Sequence, residues 1–296
     1  MTRPSTSLLS LAGLCGFLFA QTSLADSVSG QFLLDEQTLS PTSVTSFRVR
    51  DRTNPREFAT QVMLTTKPMN RDAIMQHFDP NSAAINDEAV IDAGYLSLLV
   101  TADGTVGMNA HVGGTQYVDS SAKLLGKPGS LVARCTTNTP ERVACTVTTA
   151  KAVKSKSGKS WTVDVKFDSA VLLRKAGTLL PKDGGEAGKV FLALYKATQG
   201  DDLAKIVEHL APSKAEQYQL EYSAPAQNLA SAKQMFDFDV PKQHKITGGE
   251  LSDDNTARLE VEGVSPDGSR AVYVVTMERT AGRWGFLHSM WVGQLE

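Results

Sequence analysis

The sequence predicts two folded domains in series: an all-β sandwich or barrel over 26–175 and, past a linker at 176–187, an α+β domain over 188–296. Three observations carry this expectation. The chain has 296 residues, enough for two cores at roughly 100–200 residues per domain. As far as Lys175 the apolar residues come in short, strand-length runs separated by turn residues. After a stretch dense in Gly, Pro and charge, the apolar spacing becomes helical and later alternates again. The composition, 41% hydrophobic and 21% charged, excludes wholesale disorder. A formal charge of −2 lacks the basic excess with which nucleic-acid binders neutralise phosphates.

Residues 1–25 read as a secretory signal. Arg3 supplies a positive start, and Leu8–Ala20 is apolar but too short to span a bilayer comfortably. Ser23-Leu24-Ala25 places small residues at −3 and −1 of a cleavage site, so the mature chain is expected to begin at Asp26. Lipid attachment at Cys15 is disfavoured because the bulky Leu14 precedes it. No later run approaches about 18 consecutive apolar residues, the length of a spanning helix. The expectation is a soluble, exported protein, periplasmic or secreted. Loss of Cys15 leaves Cys135 and Cys145. Each lies in a β-rich run, and a hairpin through Asn138 and Pro140 would join them into a disulfide in an oxidising compartment. A metal or redox pair is disfavoured, since the spacing is not Cys-x-x-Cys and no His flanks it.

In the first domain the expected strands are Gly30–Leu34, Val44–Arg50, Phe58–Thr65, Tyr95–Val100, Thr105–Val112, Leu131–Thr136, Val143–Thr149 and Trp161–Leu172. Asp103-Gly104 is a strong hairpin signal because both residues tolerate positive φ. One short helix is expected over Asn70–Phe78, capped by Asn70. Lys151, Lys154, Lys156 and Lys159 cluster before the last strand. They do not form a phosphate-binding loop, since Val153 stands where that motif needs its first glycine. They read as a solvated basic turn, or as a weak contact with anionic envelope surfaces.

In the second domain Val190, Phe191, Leu194 and Ala197 mark a helix that Gly200 ends. Asp201 is the expected cap of the next, with Leu203, Ile206, Val207 and Leu210 as its apolar face. Ser213–Glu216 is a capping box for a third, and Leu229, Ala232 and Phe236 suggest a fourth. Strands follow at His244–Leu251, Thr256–Val264, Arg270–Glu278 and Trp284–Val292. In the second of these Ala257, Leu259 and Val261 alternate with Arg258, Glu260 and Glu262, giving one charged face.

This order of helices, followed by Lys245-Ile246-Thr247-Gly248-Gly249-Glu250-Leu251, the alternating strand, Asp267-Gly268-Ser269 and Gly282-Arg283-Trp284, resembles the nuclear-transport-factor-2-like superfamily, in particular its small bacterial envelope domains. The resemblance covers about Gly188–Glu296 and implies helices on a curved antiparallel sheet, with a pocket inside the cone. Period-2 alternation from Trp284 and Phe286 then turns His288 and Met290 inward, near Tyr273 on the preceding strand. Tyr273, Trp284 and His288 are therefore the candidate ligand-binding residues. Isomerase-like members of that superfamily place an inward Asp or Tyr to move a proton, but no equivalent Asp maps onto this chain, since Asp237 and Asp239 lie at a helix-to-strand boundary whose direction is undetermined. The bland alternative for His288 is a satisfied core or rim histidine.

No His-Glu-x-x-His, Gly-x-Ser-x-Gly, EF-hand or Gly-x-Gly-x-x-Gly pattern is present, and the five histidines lack metal-ligand spacing. No cofactor or metal is expected. The leading expectation is a noncatalytic binding or interaction protein of the cell envelope. The alternatives are a carrier or sensor of a small apolar molecule, or an isomerase- or hydrolase-like enzyme using His288 and Tyr273. Mass spectrometry of the unreduced mature protein is expected to yield a Cys135–Cys145 linked peptide, and two free thiols would refute the pairing.

Overall fold

The computed structural model describes residues 25–77, 79–91, 93–122, 128–154, 158–221, 236 and 240–295. Cys15 and the rest of the expected leader to residue 24, Lys156, Leu229, Ala232, Asp237 and Asp239 lie outside them.

The first half is one curled sheet of eleven strands rather than two separate sheets, and it carries helices. Its strands are β1 (Ser27–Leu34), β2 (Gln37–Leu39), β3 (Ser43–Arg50), β4 (Phe58–Thr65), β5 (Tyr95–Val100), β6 (Val106–Val112), β7 (Thr115–Ser120), β8 (Leu131–Asn138), β9 (Arg142–Thr149), β10 (Val153–Lys154) and β11 (Ser160–Leu172). β11 is the organiser. It pairs antiparallel with β1 and with β9, and then in parallel with β3 through Val171 and Leu172. Its alternating Trp161, Val163, Val165 and Phe167 point into a core shared with Val62, Leu64, Leu96 and Leu98 of the facing strands. At β1 only glycine fits position 30. Its φ is +100°, and a Cβ there would stand 2.0 Å from the Asp164 carbonyl oxygen of β11.

The expectation of an all-β first half with one short helix is corrected by three: α1 (Arg71–Gln76), within the expected stretch, and the unexpected α2 (Pro80–Ile85) and α3 (Glu88–Ile91). They cover the outer side of β3–β5, where Phe47, Met63 and Tyr95 pack against Ile74, Ala84 and Val90. Asn70 caps α1, accepting the Ala73 N–H at 3.1 Å. Asp79 caps α2 with Pro80 in its first turn, accepting the Asn81 N–H at 3.0 Å. Asp26 is tied down at the start of the sheet, where its carboxylate accepts from the Ala170 N–H and from Arg71. Cys135 and Cys145 face each other across β8 and β9 as a disulfide, with Cα atoms 3.9 Å apart. A loop this short contributes about 2–3 kcal/mol in the chain-entropy picture.

The second half is also a sheet and not the expected α+β cone. Its strands run in the order β12 (Thr178–Leu179), β13 (Lys242–Asp253), β14 (Thr256–Val264), β15 (Arg270–Thr280) and β16 (Arg283–Gln294), all antiparallel. The stretch read as a linker supplies β12 and the first turn of α4 (Gly185–Thr198). α5 (Leu203–Glu208) follows, and its cap is Asp202 rather than Asp201. α6 is Pro212–Glu221. Phe191, Leu194, Ile206, Leu210, Tyr218 and Phe236 pack directly onto Leu259, Val261, Tyr273, Val275, Met277 and Phe286. Side chains therefore fill the space that a cone would leave open. The turn between α5 and α6 also closes the edge of β16, through hydrogen bonds from the Ala211 N–H to the Phe286 carbonyl and from the Phe286 N–H to the His209 carbonyl, both 2.8 Å.

The other face of this sheet turns toward the first half. Arg50 bonds Glu260 at 2.6 Å, and Arg56 bonds Glu262 at 2.9 Å. Phe286→Ala is expected to cost about 3–5 kcal/mol, while the neighbouring Leu287→Ala costs less than about 1.5 kcal/mol. Urea unfolding of both variants checks this, and equal losses would contradict the assigned faces.

Candidate functional site

The three residues proposed from sequence do not meet on one surface. Tyr273 is 2% exposed and belongs to the helix-covered core, with burial pushing its phenol pKa up. Trp284 lies at the edge of that core, with the Arg279 guanidinium 5.9 Å from its ring. His288 lies on the opposite face. In the β15–β16 ladder Met277 pairs with Phe286 while Thr276 pairs with His288, so Leu287 is an extra residue in the pairing. That bulge reverses the alternation after Phe286, and the inward direction predicted for His288 is lost. Burial first, then the positive charges of Lys214, His77 and Arg258, hold the His288 imidazole down to about 4. A proton exchange between Tyr273 and His288 has no shared site.

The face that carries His288 forms one wall of a larger feature. Register places Leu179, Glu250, Arg258, Thr276 and His288 in one row across β12–β16. Gly248, Glu260, Val274 and Met290 form the next row. Opposite them stands the outer face of the first sheet, with Gln61, Ser97, Leu99 and Asn109, flanked by Met75 of α1. Between the walls runs a cleft of about 1620 Å³, larger than the roughly 300–1,000 Å³ of ordinary small-molecule sites. A shallower groove of about 570 Å³ lies over α5 and α6, lined by Leu203, Val207, Pro212 and Tyr218.

Apolar surface is concentrated in the cleft. Nine large hydrophobic residues are exposed among the described residues. Six of them, Phe58, Ile85, Val118, Leu173, Leu179 and Trp291, line it. Leu179 is 85% exposed, so a bare leucine stands in a charged cross-strand row. Cations are interleaved with these residues. Arg48 and Arg50 flank the Phe58 ring at 5.4 and 4.2 Å. Arg174 donates to the carbonyl oxygens of Met75 and His77. Its pKa is lowered to about 10, by burial first and then by the like charge of Arg258. Arg258 is held below the usual arginine range by burial, against the opposing pull of Glu250 and Asp253.

Signals for part of this cleft were present in the sequence. Leu173 stands just before the supposed linker and Leu179 inside it, where leucines are out of place, but nothing in the chain order told that Arg174 and Arg258 would line one cleft. Lys151, Lys154 and Lys159 lie on the exposed turn around β10, away from the cleft lining. Among the described residues no group of three or more His, Cys, Asp or Glu side chains is placed to hold a metal, and no helix is long and apolar enough to cross a membrane.

No family model, no curated protein and no solved structure matches this chain, so nothing in these comparisons identifies the nuclear-transport-factor-2-like superfamily.

The lowered pKa of His288 has a pH signature. His244 shares it, lowered by burial against Phe191 and Tyr195. A histidine whose folded pKa lies below its unfolded value, near 6.5, contributes stability that is whole above pH 6.5 and is lost as pH falls toward the folded value. The melting temperature is therefore expected to drop between pH 6.5 and 4.5, and His288→Gln should flatten that drop. An undiminished drop in the variant would remove His288 as a source.

Proposed function

We propose that this is an exported, noncatalytic binding protein of the cell envelope whose recognition surface is the cleft between the two sheets. The observation that carries the reading is the gathering of six of nine exposed large hydrophobics into one concave surface. Contiguous exposed apolar surface is costly in water and marks a place that something else covers. Interleaved arginines give such a surface orientation and selectivity, as polar groups do in ligand sites generally. The export half of the proposal rests on the residue pattern of 1–25. The noncatalytic half rests on the separation of Tyr273 from His288 and on the missing catalytic motifs.

Binding of a neutral apolar fluorophore, N-phenyl-1-naphthylamine, tests the cleft. Full burial of a leucine side chain is worth about 1.5–3 kcal/mol, so Leu179→Asp and Leu173→Asp should each weaken binding roughly tenfold or more. Leu192→Asp, on the exposed face of α4 and outside the cleft, should leave it unchanged. A wild-type protein that binds no fluorophore, or an equal loss in Leu192→Asp, would overturn the reading.

A further inference from the structure

Arg258 is the anomaly of the cleft. Its side chain is 12% exposed, yet its Nε and Nη1 are buried and donate to no acceptor among the described residues. The nearest acid, Glu250, stands 3.8 Å from Nη1, an ion-pair distance beyond hydrogen bonding. Glu250 is itself partly committed, accepting the Gly177 N–H at 3.3 Å. Buried donors without acceptors are rare because each forfeits its water without recompense, and in a concave site they point to an acceptor brought by a ligand.

Arg174 makes the need specific. It enters from the end of β11, and its like charge is felt against that of Arg258. Its donors reach two backbone carbonyls, and no carboxylate lies within ion-pair distance of it among the described residues. Both guanidinium groups line the cleft, and two like charges there disfavour each other unless negative charge lies near. Glu250 acts on both, Asp79 on Arg174 and Asp253 on Arg258, so neighbouring acids already balance the two charges. What stays unmet is the hydrogen bonding of Arg258 Nε and Nη1, which a compact, fork-shaped acceptor of low charge such as a carboxylate supplies. Leu179 stands beside Glu250 in the same cross-strand row, Leu173 precedes Arg174, and Met290 and Trp291 continue along the cleft. The donors thus sit beside exposed apolar residues in a cleft that also carries other charged side chains.

We propose that the cleft binds a long-chain carboxylate, with the carboxylate seated on Arg258 and Arg174 and the chain laid along Leu173, Leu179, Met290 and Trp291. This rests on the cleft being the recognition surface and adds the chemical class of its occupant. A guanidinium fork matches the geometry of a carboxylate, and the pair is strengthened where water is excluded.

Calorimetric titration of the full mature protein with oleate, and with uncharged monoolein as its neutral counterpart, tests the proposal beside the naphthylamine fluorophore. Wild type is expected to prefer oleate. Arg258→Met and Arg174→Met should each lower the oleate-to-monoolein affinity ratio at least tenfold, with Arg258→Lys intermediate. Circular dichroism confirms that each variant folds. Should Arg258→Met fail to fold, Arg174→Met and Arg258→Lys decide the same ratio. If the fluorophore binds but oleate does not, or if oleate and monoolein bind alike in wild type and variants, the carboxylate head is wrong and the cleft reading stands. If fluorophore, oleate and monoolein all fail to bind, the cleft reading itself falls.

Discussion

The structure depends on the continuity of one strand. β11 is paired along both edges, to β1 and β9, and its last two residues cross to β3. A strand held on both sides cannot shift register without turning Trp161, Val163, Val165 and Phe167 out of the core. The backbone then leaves β11 through Leu173 and Arg174 and within a few residues joins the second sheet as β12, pairing with β13. The second sheet is thereby tethered at a fixed edge, and the ion pairs Arg50–Glu260 and Arg56–Glu262 hold its charged face toward the first. These two pairs are partly exposed, and such pairs are worth about 0–1 kcal/mol each. The short covalent connection, more than the salt bridges, sets the cleft.

The cleft exists because each sheet has a used face and a leftover face. In the first, inner residues close on one another while α1–α3 cover only part of the outer side. In the second, α4–α6 fill the apolar side completely, leaving Glu250, Arg258, Glu260 and Val274 on the other. The leftover faces meet incompletely. Charged residues that would normally be solvated become half-buried, which lowers the pKa of Arg174 and Arg258 and leaves donors of Arg258 without acceptors. Apolar residues that would normally be buried, Leu179 above all, stay bare. Both departures from ordinary packing occur at one place, and a ligand with an apolar body and an anionic head relieves both.

Local rules read well from this sequence. Asn70 caps α1 as its position demanded, and Asp103-Gly104 makes the β5–β6 turn with Gly104 at φ +83°. The Cys135–Cys145 hairpin closes, and β14 alternates apolar and charged residues from Ala257 to Glu262. These features depend on one residue and its near neighbours, through capping, positive φ and period-2 patterning. Asp79-Pro80 was an equally local helix signal, and α2 begins there.

The sequence by itself determined where most of the longer strands and four of the helices lie, though not β2, β7, β10, β12, α2 or α3, and that two cysteines would meet, because each follows from chemistry within about ten residues. Only the tertiary structure decided the rest. One inserted residue in the pairing at Leu287 put His288 on the face opposite Tyr273, a change of parity that no alternation pattern in β16 alone reveals. Joining eleven strands into one sheet and filling the space beneath the second with Phe191, Tyr218 and Phe236 are long-range packing outcomes. That Arg174 and Arg258, 84 positions further along the chain by their numbers, line one cleft is of the same kind, since it is set by which strands pair and not by what stands beside each residue.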